Sequence, residues 1–263
     1  MIHSIKILCL LLIISASSFA QSKWKEIKFD TYHQVTNPNN GKTLGYGHNS
    51  GVKILTVNGL AFKDLNKNGK LDKYEDWRLS TAERAKDLAS KLSVEEIAGL
   101  MLYSSHQSVP ARAGGYFAGT YGGKPFKEGE IDPSLLTDQQ IKFLKEDHLR
   151  HVLLTTVSSP EIAAKWNNNL QAFCESIGSG IPANNSSDPR HGTKASAEYD
   201  AAAGGEISMW PSSLGLAATF DPALVKRFGE IAAEEYRALG ITTALSPQVD
   251  IATEPRWGRY NGT

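Results

Sequence analysis

His151-Val152-Leu153-Leu154-Thr155-Thr156-Val157 is followed, past Ser158 and Ser159, by Pro160 and a run in which Ile162, Trp166, Leu170, Phe173 and Ile177 recur every three or four positions. The first stretch reads as a buried strand and the second as an amphipathic helix, with Pro160 suited to the first helical position. Gly178 and Gly180 stop that helix, and Ile181 to Ser187 reads as a short second strand. A further helix opens at Asp221-Pro222 and closes at Gly240, with Leu224, Phe228, Ile231, Ala232 and Leu239 on one face; Ile241 to Val249 follows as a strand. Strand, helix, strand, excursion, helix, strand is the beginning of a parallel α/β sheet. In such sheets the C-terminal strand ends carry the site.

Upstream, Ser80-Thr81-Ala82-Glu83, Ser93-Val94-Glu95-Glu96 and Thr137-Asp138-Gln139-Gln140 each fit a capping box and so mark helix starts. Residues 111–130 are rich in Gly with interspersed aromatics and read as a long surface loop. Residues 21–60 show no helical period and are expected to form loops and short strands, giving an N-terminal extension over 21–79. Residues 1–20 read as a secretory leader: Lys6 precedes the apolar run Ile7 to Ile14, and Ser18-Phe19-Ala20 places small residues where a signal peptidase cuts. Cleavage before Gln21 predicts a bacterial protein that is periplasmic or secreted, with no membrane attachment afterwards.

The 263 residues carry 28 Lys+Arg against 28 Asp+Glu, which gives nucleic acid and anionic membranes no basic surface to meet. Cys9 lies in the leader, so Cys174 remains the single thiol and no internal disulfide is expected. The Gly-rich stretch is not a phosphate loop, because Ala118 and Pro125 stand where Gly and Ser/Thr are needed.

The sharpest local motif runs from Asp64 to Glu75. Asp64, Asn66, Asn68, Asp72 and Glu75 offer side-chain oxygens at loop positions 1, 3, 5, 9 and 12, Lys70 offers its carbonyl, and Gly69 suits the turn. That is the spacing of a calcium loop, with a structural rather than catalytic role. A metal-free hairpin turn built on Asn68-Gly69 explains the same residues. Two polar clusters follow strands: Ser187-Asp188-Pro189-Arg190-His191-Gly192 and Glu254-Pro255-Arg256-Trp257-Gly258-Arg259. Carboxylates, guanidinium forks and an indole suit a sugar site. Ion pairs locking strand ends together suit them equally.

In order, Ser93-Val94-Glu95-Glu96, the 187–192 run, Met209-Trp210-Pro211 with Leu214 to Pro222, and Ser246-Pro247-Gln248-Val249-Asp250 leading to Pro255-Arg256-Trp257-Gly258-Arg259 resemble glycoside hydrolase family 3. The resemblance spans about residues 80–263. It implies a (β/α)8 TIM-type barrel domain, here its incomplete N-terminal part with three of eight strands. It also implies a retaining exo-β-glycosidase, β-glucosidase-like, acting on terminal non-reducing β-D-glucosyl residues of oligosaccharides without a catalytic cofactor. By motif, Asp188 resembles the family's Asp that binds sugar hydroxyls and Arg259 the Arg that grips the same sugar. Arg190, His191, Arg256 and Trp257 fall in the matching motifs as supports behind them. The family's nucleophile and acid/base are expected beyond Thr263, leaving this stretch without hydrolytic activity of its own. The alternatives are a non-catalytic sugar-binding or calcium-stabilised module, and a β-xylosidase or β-N-acetylglucosaminidase of the same family. Asn184, Asn185 and Asn261 begin glycosylation sequons, and glycans on the first two would block the site.

Overall fold

The computed structural model describes residues 23–39, 41–115, 117–188, 191, 206–245, 254 and 256. The leader therefore lies outside the described residues. The extension forms two small antiparallel sheets. Strands β1 (Lys25–Lys28), β2 (Tyr32–Thr36) and β3 (Thr43–Gly47) pair in that order, and β4 (Lys53–Val57) pairs with β5 (Leu60–Asp64) across Asn58-Gly59. Asn58 and Gly59 both have positive φ (55° and 79°), the geometry of a tight hairpin turn. Buried Asn37 stitches the sheets together: its Nδ2 donates to Lys42 O and Ala61 O, and its Oδ1 accepts from Ala61 N at 2.7 Å.

Helices α1 (Thr81–Ala89), α2 (Val94–Gly99) and α3 (Asp138–Lys145) each begin at the expected capping box, at Ser80, Ser93 and Thr137. A strand that the sequence reading lacked, β6 (Tyr103–Val109), follows α2, and a short hairpin, β7 (Thr120–Tyr121) with β8 (Lys124–Pro125), interrupts the Gly-rich loop. Then come β9 (His151–Val157), α4 (Pro160–Ser176), β10 (Asn184–Ser187), α5 (Ser213–Ala217), α6 (Pro222–Ala238) and β11 (Thr243–Ala244). Strands β11, β10, β9 and β6 form, in that order, a parallel four-stranded sheet with α3, α4 and α6 in the crossovers. This is the expected α/β architecture with four parallel strands rather than three; no closed barrel is formed among the described residues.

Two strand limits differ from expectation. β10 begins at Asn184 rather than Ile181, since Pro182 has no N–H to give to a ladder. β11 spans only Thr243–Ala244, and residues 246–250 lie outside the described residues.

The core lies between sheet and helices. Val152 and Leu154 of β9 meet Leu144, Ala163, Trp166, Leu170, Cys174, Tyr236, Leu239 and Ile241. Trp166 is fully buried and donates its Nε1 to Gln140 Oε1 at 3.2 Å, so its polar atom is satisfied. Helix α6 ends as read: Gly240 takes φ +78°, and Asn167 sits 2.5 Å from where a Cβ would be.

The extension docks on α4 through Glu175. Its Oε2 accepts from Gly47 N at 3.1 Å, its Oε1 pairs with Lys63, and its carbonyl accepts from Lys67 Nζ at 2.9 Å. Gly47 lies so close to the helix that a Cβ there would meet Ala172 Cβ at 2.5 Å.

Candidate functional site

Strand β10 is unusually polar, and its side chains fix it. Ser187 Oγ donates to Leu154 O at 2.6 Å and Ser186 Oγ to Val152 O at 3.1 Å, while Tyr103 and Ser186 share a hydroxyl contact. Asn185 Nδ2 bonds Asn167 Oδ1 at 2.8 Å and Gly240 O at 3.2 Å. Asn184 Oδ1 accepts from Thr242 and Thr243, both at 2.8 Å. Asn185 is buried and Asn184 is engaged inside the sheet, so neither is open to a glycan in the folded chain.

The chain leaves this strand at Asp188. Tyr236 of α6 donates its hydroxyl to the main-chain oxygen of Asp188 at 2.6 Å. The carboxylate is half-buried, and among the described residues its Oδ2 is buried with no hydrogen-bond partner. An oxygen with two lone pairs, withdrawn from water and unpaired, is poised to accept from a ligand.

Behind Asp188 lies His191, buried against Tyr236 and Phe228 with ring centroids at 5.0 and 6.1 Å. His191 Nε2 stands 2.7 Å from Glu235 Oε2. The same carboxylate accepts from Ser208 N at 3.1 Å and Ser208 Oγ at 2.9 Å, and Trp210 Nε1 donates to Ser208 Oγ at 3.0 Å. Trp210 N in turn donates to His191 O at 2.6 Å. Both ends of the long excursion after β10 are thereby tied to one face of α6.

The second polar cluster is only partly described. Arg256 grips Glu254 through Nε and Nη2 at 2.7 and 2.8 Å; the guanidinium holds the Glu254 carboxyl down at about 2. Both side chains are exposed, so this is a local pair rather than a buried lock between strands. Arg190, Trp257 and Arg259 lie outside the described residues. The structure thus brings together Asp188 and His191 and leaves Arg256 with its neighbour.

Glu235, Tyr236 and Ser208 were not singled out by the sequence. A signal existed: Glu235 and Tyr236 continue the helical face marked by Phe228 and Ala232, and a carboxylate in that stripe needs partners.

The 64–75 loop is entered by strand β5, not by a helix, and it closes on itself. Asp64 takes the N–H groups of Asn68 and Gly69 at 3.0 and 2.9 Å, and Glu75 takes those of Leu65 at 2.7 Å and Asp72 at 2.9 Å. Asn66 and Asn68 both donate Nδ2 to Asp72 Oδ2, which with Lys91 holds the Asp72 carboxyl below its usual range although burial opposes this. Lys70 is exposed, and its N–H donates to Asn68 Oδ1 at 2.7 Å. The donors are the hard oxygens calcium takes. Among the described residues no three His, Cys, Asp or Glu side chains converge as a metal set.

The model of the glycosyl hydrolase family 3 N terminal domain matches residues 131–263. A periplasmic β-glucosidase/β-xylosidase of Dickeya chrysanthemi is 43% identical over 81% of this chain and 30% of its own length. β-Glucosidase C of Emericella nidulans is 34% identical over 78% of this chain and 31% of its own, and a probable β-glucosidase C of Aspergillus oryzae is 32% identical over 72% and 27%. The chain spans about a third of the length of these curated relatives.

Proposed function

Starting from a chain that belongs to glycosyl hydrolase family 3, we propose that it serves an exported, retaining exo-β-glycosidase acting on terminal non-reducing β-D-glucosyl residues of oligosaccharides. In this reading the parallel sheet is part of a (β/α)8 barrel, and Asp188 accepts hydrogen bonds from hydroxyls of the sugar. Arg259 grips the same ring, while Arg190, His191, Arg256 and Trp257 hold the ligands in place. The single observation that carries it is the buried, unpartnered Oδ2 of Asp188 at the C-terminal end of β10. A charged hydrogen bond there, strengthening as the ring flattens toward the oxocarbenium ion, lowers the barrier rather than merely tightening binding.

The glucoside assignment draws on relatives named as β-glucosidases, one of them also as a β-xylosidase. Export draws on the leader-like residues 1–20 and on a relative named as periplasmic. Among the described residues no helix is long and apolar enough to cross a membrane. Calcium enters only as a structural ion of loop 64–75, and catalysis calls for no cofactor.

The test is release of sugar by the intact protein from aryl β-glucoside, β-xyloside and β-N-acetylglucosaminide. Glucose release is expected to dominate. Preference for xylose or N-acetylglucosamine reassigns the substrate, and sugar binding without any hydrolysis replaces the enzyme with a binding module.

A further inference from the structure

The tip of the β1–β2 hairpin meets α4 on the side of that helix away from the sheet. Ala163, Trp166, Leu170 and Cys174 pack inward, whereas Asn168 and Asn169 border an open groove. One cavity of 780 Å³ lies between Phe29, Tyr32, Asp132, Asn168 and Asn169, and a neighbour of 350 Å³ shares Tyr32, Asn168 and Asn169 with it. A third, of 570 Å³, continues past Asp132 and Asn169. All three share Asn169, so they open into one trough on this side of α4.

Its chemistry is specific. Phe29 and Tyr32 stack with centroids 4.7 Å apart and planes 10° from parallel, so Tyr32 backs one face of Phe29, which remains 40% exposed. Asn169 gives Nδ2 to Ser134 O at 2.9 Å, which fixes its carboxamide and leaves Oδ1 as an acceptor. Asp132 takes Ser134 N and Oγ on Oδ1, and these bonds hold its carboxyl below the usual range, so it is ionised at neutral pH. Asn168 is exposed and has no side-chain hydrogen bond among the described residues. Two lysines and two aspartates line the 780 Å³ cavity and balance in formal charge, whereas the two neighbouring cavities add Glu130, Asp138 and Glu175. Within the charge-balanced 780 Å³ cavity, the exposed Phe29 ring, two carboxamides and a carboxylate match a neutral ring with an apolar face and several hydroxyls.

We propose that this trough is a non-hydrolytic saccharide site that holds a β-linked oligosaccharide, with Phe29 under a ring face and Asn168, Asn169 and Asp132 on its hydroxyls. The ligand class rests on the glycosidase reading above; the trough itself does not.

The experiment is calorimetric titration of cellotetraose into the intact protein, with and without a saturating nojirimycin-type inhibitor. Binding that persists under the inhibitor is expected, weakened at least ten-fold by Asn168→Ala and by Phe29→Ala, with aryl β-glucoside hydrolysis unchanged in both. Asn168 is an exposed helix position, so its variant keeps the test open if Phe29→Ala disturbs the hairpin. Full competition by the inhibitor, or unaltered affinity in Asn168→Ala, overturns the proposal. Absence of aryl β-glucoside hydrolysis in the parent protein would instead strike the glycosidase reading, while the cellotetraose titration of Asn168→Ala would still decide the trough.

Discussion

The hydroxyl of Tyr236 bonds the main-chain oxygen of Asp188 at 2.6 Å, while Oδ2 of its side chain has no hydrogen-bond partner among the described residues. The backbone of Asp188 is therefore anchored independently of Oδ2. Replacing it separates the two accounts of this cluster. Asp188→Asn in the intact protein is expected to lower kcat/KM by about 10²-fold or more through loss of a charged hydrogen bond that strengthens in the transition state. Its Tm should stay level or rise, because a charge with one buried, unpartnered oxygen is removed. A clear fall in Tm with near-normal kcat/KM would make Asp188 a structural lock.

Glu235 is the opposite case. Its carboxylate accepts from Ser208 N and Ser208 Oγ and lies 2.7 Å from His191 Nε2, so Glu235→Ala strands the Ser208 donors and removes the charge beside His191. Urea unfolding is expected to show a loss of about 1–3 kcal/mol. The loss should be larger than for truncation of exposed Glu161, which pairs with Lys165 one turn away.

Packing of the extension can be probed at one atom. Gly47→Ala places a methyl 2.5 Å from Ala172 Cβ, and neither backbone can retreat without stretching the bond to Glu175. Overpacking of this kind costs about 1–3 kcal/mol. Thermal unfolding should report a lower Tm, and Ala172→Gly in the same chain should restore part of it.

Acid sensitivity follows from Asp138 at the start of α3. Its carboxylate takes Gly123 N, Thr120 Oγ1 and Gly122 N, and these bonds lower its pKa in the folded chain. A folded pKa below the unfolded one means the contribution is complete above the unfolded value, ~4. It then fades as the pH falls through the folded value. Stability measured by tryptophan fluorescence should decline below pH ~4, and Asp138→Asn should flatten that part of the curve while lowering stability at neutral pH.

Calcium gives the fifth measurement. Added to chelator-treated protein, it is expected to displace the Asn66 and Asn68 amides from Asp72 and gather the loop oxygens, raising Tm. Magnesium, which demands tighter octahedral geometry, should do much less. Asp64→Ala should abolish the calcium effect, and an unchanged Tm in the parent protein would leave the Asn68-Gly69 turn as the whole explanation of the motif.

Much of the fold is legible in punctuation. Ser80, Ser93 and Thr137 cap helices, Pro160 and Pro222 open them, and Gly240 closes α6 with a positive φ, each because one local bond or dihedral demands that residue type. Strand β6 escapes the same reading. Parallel strands buried on both faces are expected to be apolar, whereas Tyr103 to Val109 is mostly Ser, His and Gln. Its polar atoms are paid for across the sheet, with Ser104 Oγ accepting from Leu153 N at 2.9 Å and His106 Nδ1 lying 2.8 Å from Thr155 Oγ1. No local pattern encodes partners that arrive some fifty positions later. The site divides likewise: Asp188 stands out at a strand end in the sequence, but Glu235 gains meaning only once α6 is laid against the excursion.

The Glu175 anchor also sets an order of events. Gly47 and Lys63 reach their partner across 128 and 112 positions of chain. At ribosomal rates of about 5–20 residues per second, the extension emerges roughly ten seconds before the carboxylate it must meet. During that interval the β1–β3 sheet and the β4–β5 hairpin can form their own turns but have nothing to dock on. The N-terminal strands are therefore made well before they are secured, and a binding chaperone or a protease would find its opening there.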